Sequence, residues 1–169
     1  MSPFSLTFFV AGEPKGQPRF KAFSRKIKCK QCSGFGKIAG VDCNGCGGTG
    51  NAYVAGVYDP GVANEWKHRI AFEVKKSLPA TPLAGALAVG IKFLLPRPKS
   101  AMRKCDPAGL MPSIHKPDLD NLEKAVLDIL TQMALWQDDA QICVLETSKS
   151  YHEKDGRPGA WITVRELEV

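Results

Sequence analysis

Residues 115–130 read HKPDLDNLEKAVLDIL, and the fold turns on whether this stretch opens a helix. Pro117 interrupts the preceding chain, Asp118 and Asp120 are favoured helix-start residues, and Leu122, Val126, Ile129 and Met133 then recur at helical spacing. A helix over about residues 121–132 therefore buries that stripe. Asp120 and Glu123 have the spacing of a capping box, so on this stretch helix-start chemistry alone accounts for the carboxylates. Lys124 lies one turn beyond Asp120 on the same face.

The flanks say what this helix packs on. Leu87, Val89, Ile91, Phe93 and Leu95 alternate, and extended runs occur over residues 6–10, 142–151 and 161–165, as in strands of a sheet. Trp66, Ile70, Val74 and Leu78 recur every fourth residue until Pro79, marking a second helix. Helices and strands follow each other without regular βαβ alternation, so the fold class is α+β, a mixed β-sheet with two main helices. Residues 96–117 combine prolines with Arg97, Lys99, Arg103, Lys104 and Lys116 and lack a hydrophobic period, which reads as a loop. A length of 169 residues suits one domain, residues 1–169.

Within it, CKQCSGFGKIAGVDCNGCGGTG sets Cys29, Cys32, Cys43 and Cys46 as C-x2-C-x10-C-x2-C. Each Cys-x-x-Cys turn aims two thiolates at one tetrahedral ion, and two turns close a four-thiolate zinc site. Each pair is followed by Gly-x-Gly, which permits tight backbone around the sulfurs. Extended stretches at residues 19–23 and 53–58 flank the segment, so residues 27–52 read as a zinc ribbon inserted in a hairpin. A closed four-cysteine site is structural, since it keeps no open position for catalysis. Cys105 and Cys143 lack a pairing pattern and read as free thiols. The Cys-x-x-Cys-x-Gly-x-Gly units resemble the cysteine-rich repeats of J-domain co-chaperones, a likeness that implies the metal and not the chaperone activity.

The formal charge is +6 and unevenly placed. From Lys15 to Val41 there are eight Lys or Arg and no acid, whereas from Asp118 to Glu146 there are seven acids and Lys124 as the sole base. A long acid-free basic stretch fits a polyanion such as nucleic acid. No run approaches the roughly 20 apolar residues that span a bilayer, and no secretion signal is legible, so a cytoplasmic protein without a membrane partner is expected.

The acids suggest a second metal. Residues 133–139, at roughly 23 Å extended, are long enough to return along a helix that rises roughly 18 Å. Asp139 is therefore expected beside Asp118 and Asp120, with Asp138 pointing away. Carboxylates gathered in this way need a hard cation, and Mg²⁺ takes oxygen ligands while reserving part of its shell for phosphate. Lys124 is then placed to offset charge on that phosphate or to hold the attacking water.

HKPDLDNLEKAVLDIL followed by WQDDAQI closely resembles the signature of the RusA family of Holliday junction resolvases. A looser likeness takes in the early Gly-Gln-Pro-Arg turn, the Tyr-Asp-Pro before the first long helix and the basic RPKS loop. The resemblance implies a bacterial or phage-encoded, homodimeric, Mg²⁺-dependent endodeoxyribonuclease that places paired nicks in branched DNA. It assigns the metal-binding acids to Asp118, Asp120 and Asp139 and the active-site lysine to Lys124, and it matches Asn121 to the family's asparagine. Arg19, Arg97, Lys99, Arg103, Lys104 and Lys116 are the expected phosphate contacts. The inserted ribbon departs from the compact family pattern and raises an alternative, a non-catalytic zinc-ribbon protein that binds nucleic acid while the aspartates only cap.

Overall fold

A computed structural model of the chain describes residues 4–18, 21–58 and 60–168. Arg19, one of the expected phosphate contacts, lies outside the described residues. The elements run in the order β1 Ser5–Ala11, β2 Lys21–Lys28, β3 Lys37–Ile38, β4 Val41–Asp42, β5 Asn51–Tyr58, α1 Asn64–Lys75, β6 Leu87–Leu95, β7 Met111–Pro112, α2 Leu119–Gln132, β8 Ile142–Tyr151 and β9 Gly159–Glu166. They fall into two compact units, residues 19–60 and the remainder.

The larger unit is built on a five-stranded sheet of order β1-β9-β6-β8-β7. Strands β6 and β8 are parallel and the other pairings antiparallel, which makes the sheet mixed, as expected. The alternation in β6 decides its faces: Leu87, Val89, Ile91, Phe93 and Leu95 are buried with Val10, Ile162 and Val164, against Trp66, Ile70 and Val74 of α1 and Leu122, Val126 and Ile129 of α2. Each such side chain contributes about 1.5–3 kcal/mol by leaving water. Leu78 and Met133 fall just past their helices and pack partly buried against the same core. The other face of the sheet carries no helix; Ala88, Gly90, Lys92, Glu146, Trp161 and Arg165 line a shallow cavity of about 670 Å³ there.

Helix α2 starts two residues earlier than the capping-box spacing predicts. Its N-cap is Asp118, at φ −70° and ψ 148°, and Asp120 lies inside the first turn. Glu123 makes no capping box, because its carboxylate accepts from Thr147 Oγ1 (3.1 Å) on β8. At the other end Ala134 takes the left-handed conformation (φ 54°), and the amide of Leu135 returns to the carbonyl of Leu130 (3.1 Å).

The proline-rich stretch 96–117 is a loop, yet a pinned one. The Arg97 guanidinium donates to the carbonyls of Pro107 (2.6 Å), Ala108 and Gly109 (both 3.4 Å) and contacts Met111 Sδ. Lys154 Nζ donates to the carbonyls of Arg103 and Asp106, both at 2.7 Å. Side-chain cations thus satisfy carbonyls that have no strand partner. A single 3₁₀ turn at Lys99–Ala101 and the short β7 complete the loop. No described helix is long and apolar enough to cross a membrane.

The smaller unit is a two-stranded antiparallel ribbon, β2 against β5, carrying the cysteine segment and the β3–β4 hairpin at its end. Strand β2 runs to Lys28, one residue short of Cys29, so the ladder leads directly into the cysteines.

Candidate metal centre and active site

The four cysteines fold into two equivalent knuckles. In the first, the amides of Gly34 and Phe35 donate to the carbonyls of Cys29 and Cys32 (3.1 and 2.9 Å), and that of Gly36 to Cys32 Sγ (3.3 Å). In the second, Gly48 and Thr49 donate to Cys43 and Cys46 (3.3 and 3.2 Å), and Gly50 to Cys46 Sγ (3.2 Å). The knuckles interlock, Cys43 N–H donating to the Gly36 carbonyl (2.8 Å) and Cys29 N–H to that of Gly50 (2.9 Å). Gly36 and Gly50 hold φ of 80° and 72°, and a Cβ on either would collide with the backbone of the opposite knuckle. This explains the repeated Gly-x-Gly.

The ligand atoms of Cys29, Cys32, Cys43 and Cys46 all lie within 4.8 Å of one another. The Sγ–Sγ separations of Cys29–Cys43 and Cys32–Cys46 are 3.9 and 3.7 Å. A tetrahedron with metal–sulfur bonds near 2.3 Å has edges of about 3.8 Å, so the cluster fits one metal ion. Burial pushes the Cys32 thiol up, but the amides of Gly36 and Gly34 and the neighbouring thiols outweigh this and bring it down to about 7. At Cys43, burial followed by the surrounding thiols drives it up to about 11. A metal that displaces these protons relieves the crowding.

The second candidate site is the mouth of α2. Gly16 packs against Asn121 and Pro117, and the Gln17 amide donates to the Asn121 carbonyl at 2.7 Å. From the sheet, Lys149 Nζ donates to the carbonyls of His115 and Pro117, both at 2.9 Å. The chain entering α2 is thus held from two sides, and it leaves Asp118, Asp120 and Lys124 exposed. Among the described residues the carboxylates of Asp118 and Asp120 accept no hydrogen bond, and Lys124 joins none of the ion pairs. The surface salt bridge that spacing allows between Asp120 and Lys124 is not formed. Beside the mouth runs a groove of about 380 Å³, lined among others by Pro14, Pro98, His115, Lys116 and Tyr151.

Asp139 lies elsewhere in the same chain. The contacts Glu123–Thr147 and Pro117–Lys149 set α2 and β8 antiparallel, with the start of the helix beside the end of the strand. Asp139 belongs to a 3₁₀ turn, Asp139–Gln141, immediately before β8. The path along β8 from Thr147 back to Ile142 alone covers roughly 17 Å. Asp139 is therefore on the order of 20 Å from the mouth, and the expected return of residues 133–139 does not take place within one chain. Reach was sufficient; burial decides otherwise. Leu135 and Trp136 are fully buried, and the backbone of Leu83 pairs with both Leu135 (3.0 Å) and Gln137 (3.2 Å), which keeps the segment at the far end of α2. Asp138 is occupied as the cap of the turn, accepting from the Ala140 amide (2.8 Å), while Asp139 stays exposed without a side-chain hydrogen bond among the described residues.

Of the expected phosphate contacts, Lys99, Lys104 and Lys116 are exposed, and exposed Arg103 pairs with Asp106 (3.2 Å). Their hydrogen bond holds the Asp106 carboxyl below its usual range. Arg97 departs from expectation: it is 8% exposed, and its guanidinium faces the loop backbone instead of a ligand. The roles of Lys149 on β8 and of Lys154 in the turn after it are not legible in the sequence, because a lysine looks solvated until the fold shows which carbonyls it meets.

The comparisons with known proteins fit this arrangement. A 116-residue stretch is 32% identical to the uncharacterized protein YqaN of Bacillus subtilis, covering 66% of this chain and 79% of that one. Over 53 residues the chain is 43% identical to the crossover junction endodeoxyribonuclease RusA of Escherichia coli K12, and equally to that of enterobacteria phage 82. It spans 44% of the length of those two relatives. The profile described as endodeoxyribonuclease RusA matches residues 47–165, which include α1, the mouth of α2 and Asp139. The chain belongs to the RusA endodeoxyribonuclease family.

Proposed function

We propose that the chain is a Mg²⁺-dependent, structure-specific endonuclease of the cytoplasm that resolves four-way DNA junctions by paired phosphodiester hydrolysis, with zinc in the cysteine cluster as a structural ion. The observation that carries this reading is the mouth of α2. Two carboxylates with free lone pairs and an unpaired lysine stand there in solvent, beside a backbone held by Lys149 and by Gly16 and Gln17. Two carboxylates that merely capped the helix would be hydrogen-bonded to its amides.

Asp118 and Asp120 suit a hard cation, which supplies Lewis acidity and an activated water when bound. Lys124 faces the same solvent one turn along and balances the charge of a phosphate brought there. Lys99, Lys104 and Lys116 position the backbone of the DNA without reading its sequence. Because Asp139 is far from the mouth of its own chain, its contribution comes from a second copy. A two-fold homodimer places Asp139 of one copy at the mouth of the other and yields two equivalent sites, as two symmetric nicks require.

The test compares wild-type and Asp120→Asn protein on a labelled four-way junction, with cleavage in Mg²⁺ and binding in Ca²⁺. Cleavage is expected to fall at least ~100-fold with binding retained. Asn caps helices as well as Asp, so a variant that nicks at the wild-type rate returns the carboxylates to a capping role and refutes the proposal.

A further inference from the structure

The ribbon of the smaller unit presents exposed side chains on both of its sides. Its strands pair from Lys21↔Tyr58 to Lys28↔Asn51, so facing residues share a side of the ribbon. Lys21, Phe23 and Arg25 stand with Tyr58 on one side; Lys26, Lys28 and Tyr53 stand on the other. All seven are exposed, Tyr53 at 71%. The rings of Phe23 and Tyr58 meet at 6.2 Å, and neither side is covered by another element of the unit.

Residues 19–60 contain seven Lys or Arg against Asp42 and Asp59. A four-thiolate divalent centre would add two negative charges, which still leaves an excess of positive charge, and β2 and β5 themselves contain no acid. An isolated two-stranded hairpin is marginal in water, so this one depends on the knuckles that clamp its end. A rigid ribbon bearing cations on both sides is matched by a partner that presents anions on both sides of a slot. The major groove of duplex DNA is such a slot, about 12 Å wide and able to admit a two-stranded ribbon between its phosphate rows. The eight-residue ladder extends roughly 27 Å, about eight base pairs.

Resting on the reading of the chain as a nuclease of branched DNA, we propose that the β2–β5 ribbon is a second DNA-binding element that enters the groove of a duplex arm. Lys21 and Arg25 contact one phosphate row, Lys26 and Lys28 the other, and the cysteine knuckles hold the ribbon rigid for that purpose.

The experiment measures binding of full-length protein to a four-way junction, a linear duplex and a single strand over a salt series in Ca²⁺, with junction nicking in Mg²⁺ alongside. The variant Lys21→Ala/Arg25→Ala/Lys26→Ala/Lys28→Ala is expected to bind junction and duplex at least tenfold more weakly. Its log–log salt slope should flatten by roughly three to four, near 0.9 for each lost phosphate contact. Lys21→Arg/Lys26→Arg/Lys28→Arg should behave as wild type. Lysine acetylation of the wild-type protein supplies a measure that needs no variant: DNA should protect Lys21, Lys26 and Lys28. If wild-type protein binds and nicks the junction while the alanine variant keeps its affinity and slope, or those lysines stay unprotected, the ribbon proposal is overturned and the nuclease reading stands. A loss confined to the single strand overturns groove entry. Wild-type protein that neither binds nor nicks overturns both.

Discussion

The four cysteines and the three candidate aspartates differ in how far the chain must bring them. Cys29, Cys32, Cys43 and Cys46 come from two short turns, and one chain gathers all four within 4.8 Å. Asp118, Asp120 and Asp139 come from opposite ends of a helix–strand unit, and one chain leaves them apart. The lesson is that spacing specifies a site when local backbone closes it. When the tertiary fold intervenes, spacing sets only what is reachable. Glycines at positive φ close the cysteine knuckles, whereas burial of Leu135 and Trp136 opposes closure of the acids.

The largest expected effect lies on the cysteine side. Cys32→Ser, or chelation, should remove the proposed structural zinc, an ion whose binding is worth on the order of 10 kcal/mol. Amides of residues 29–50 should lose hydrogen-exchange protection while those of β6 keep theirs. Zinc analysis should fall from one ion per chain to none. Loss of protection in β6 would contradict a locally closed site.

The next effect concerns the mouth. Lys149→Ala frees the carbonyls of His115 and Pro117 and should, if the proposed metal site at the mouth is right, lower junction cleavage by about 10–100-fold, the range for a residue that orients metal ligands from behind. Lys149→Arg should recover part of the rate. The loss should appear in kcat with KM nearly unchanged, and zinc content should not move. Equal loss in both constants would mark Lys149 as a DNA contact instead.

The smallest effects separate two kinds of cation in the 96–117 loop. Arg97→Ala should lower thermal stability by about 1–3 kcal/mol with an unchanged salt slope, because its hydrogen bonds are internal. Lys99→Ala/Lys104→Ala should leave stability within about 0.5 kcal/mol and flatten the slope of junction binding by roughly two. The reverse pattern would return Arg97 to the DNA-contacting set.

How much the sequence discloses follows the same division. Strand β6, both helices and the order of β8 and β9 were legible because alternation and four-residue recurrence report which faces are buried. The convergence of the four cysteines is legible because their geometry is local. Spacing sets the start of α2 two residues late because Glu123 has a partner on β8 that it cannot reveal. Arg97 looked like a phosphate contact because nothing in the RPKS run says that its guanidinium turns inward. The position of Asp139 depended on Leu83 pairing with Leu135, a contact across the fold.

The most direct test of the proposed shared acid site uses mixed dimers. Chains carrying Asp120→Asn and chains carrying Asp139→Asn are co-expressed with different tags, purified through both, and assayed on a four-way junction in Mg²⁺. A site assembled from two copies predicts that each parent protein is inactive and that the mixed dimer nicks the junction, since one of its two sites contains only native carboxylates. A mixed dimer as inactive as its parents, or a parent that cleaves at the wild-type rate, would contradict it.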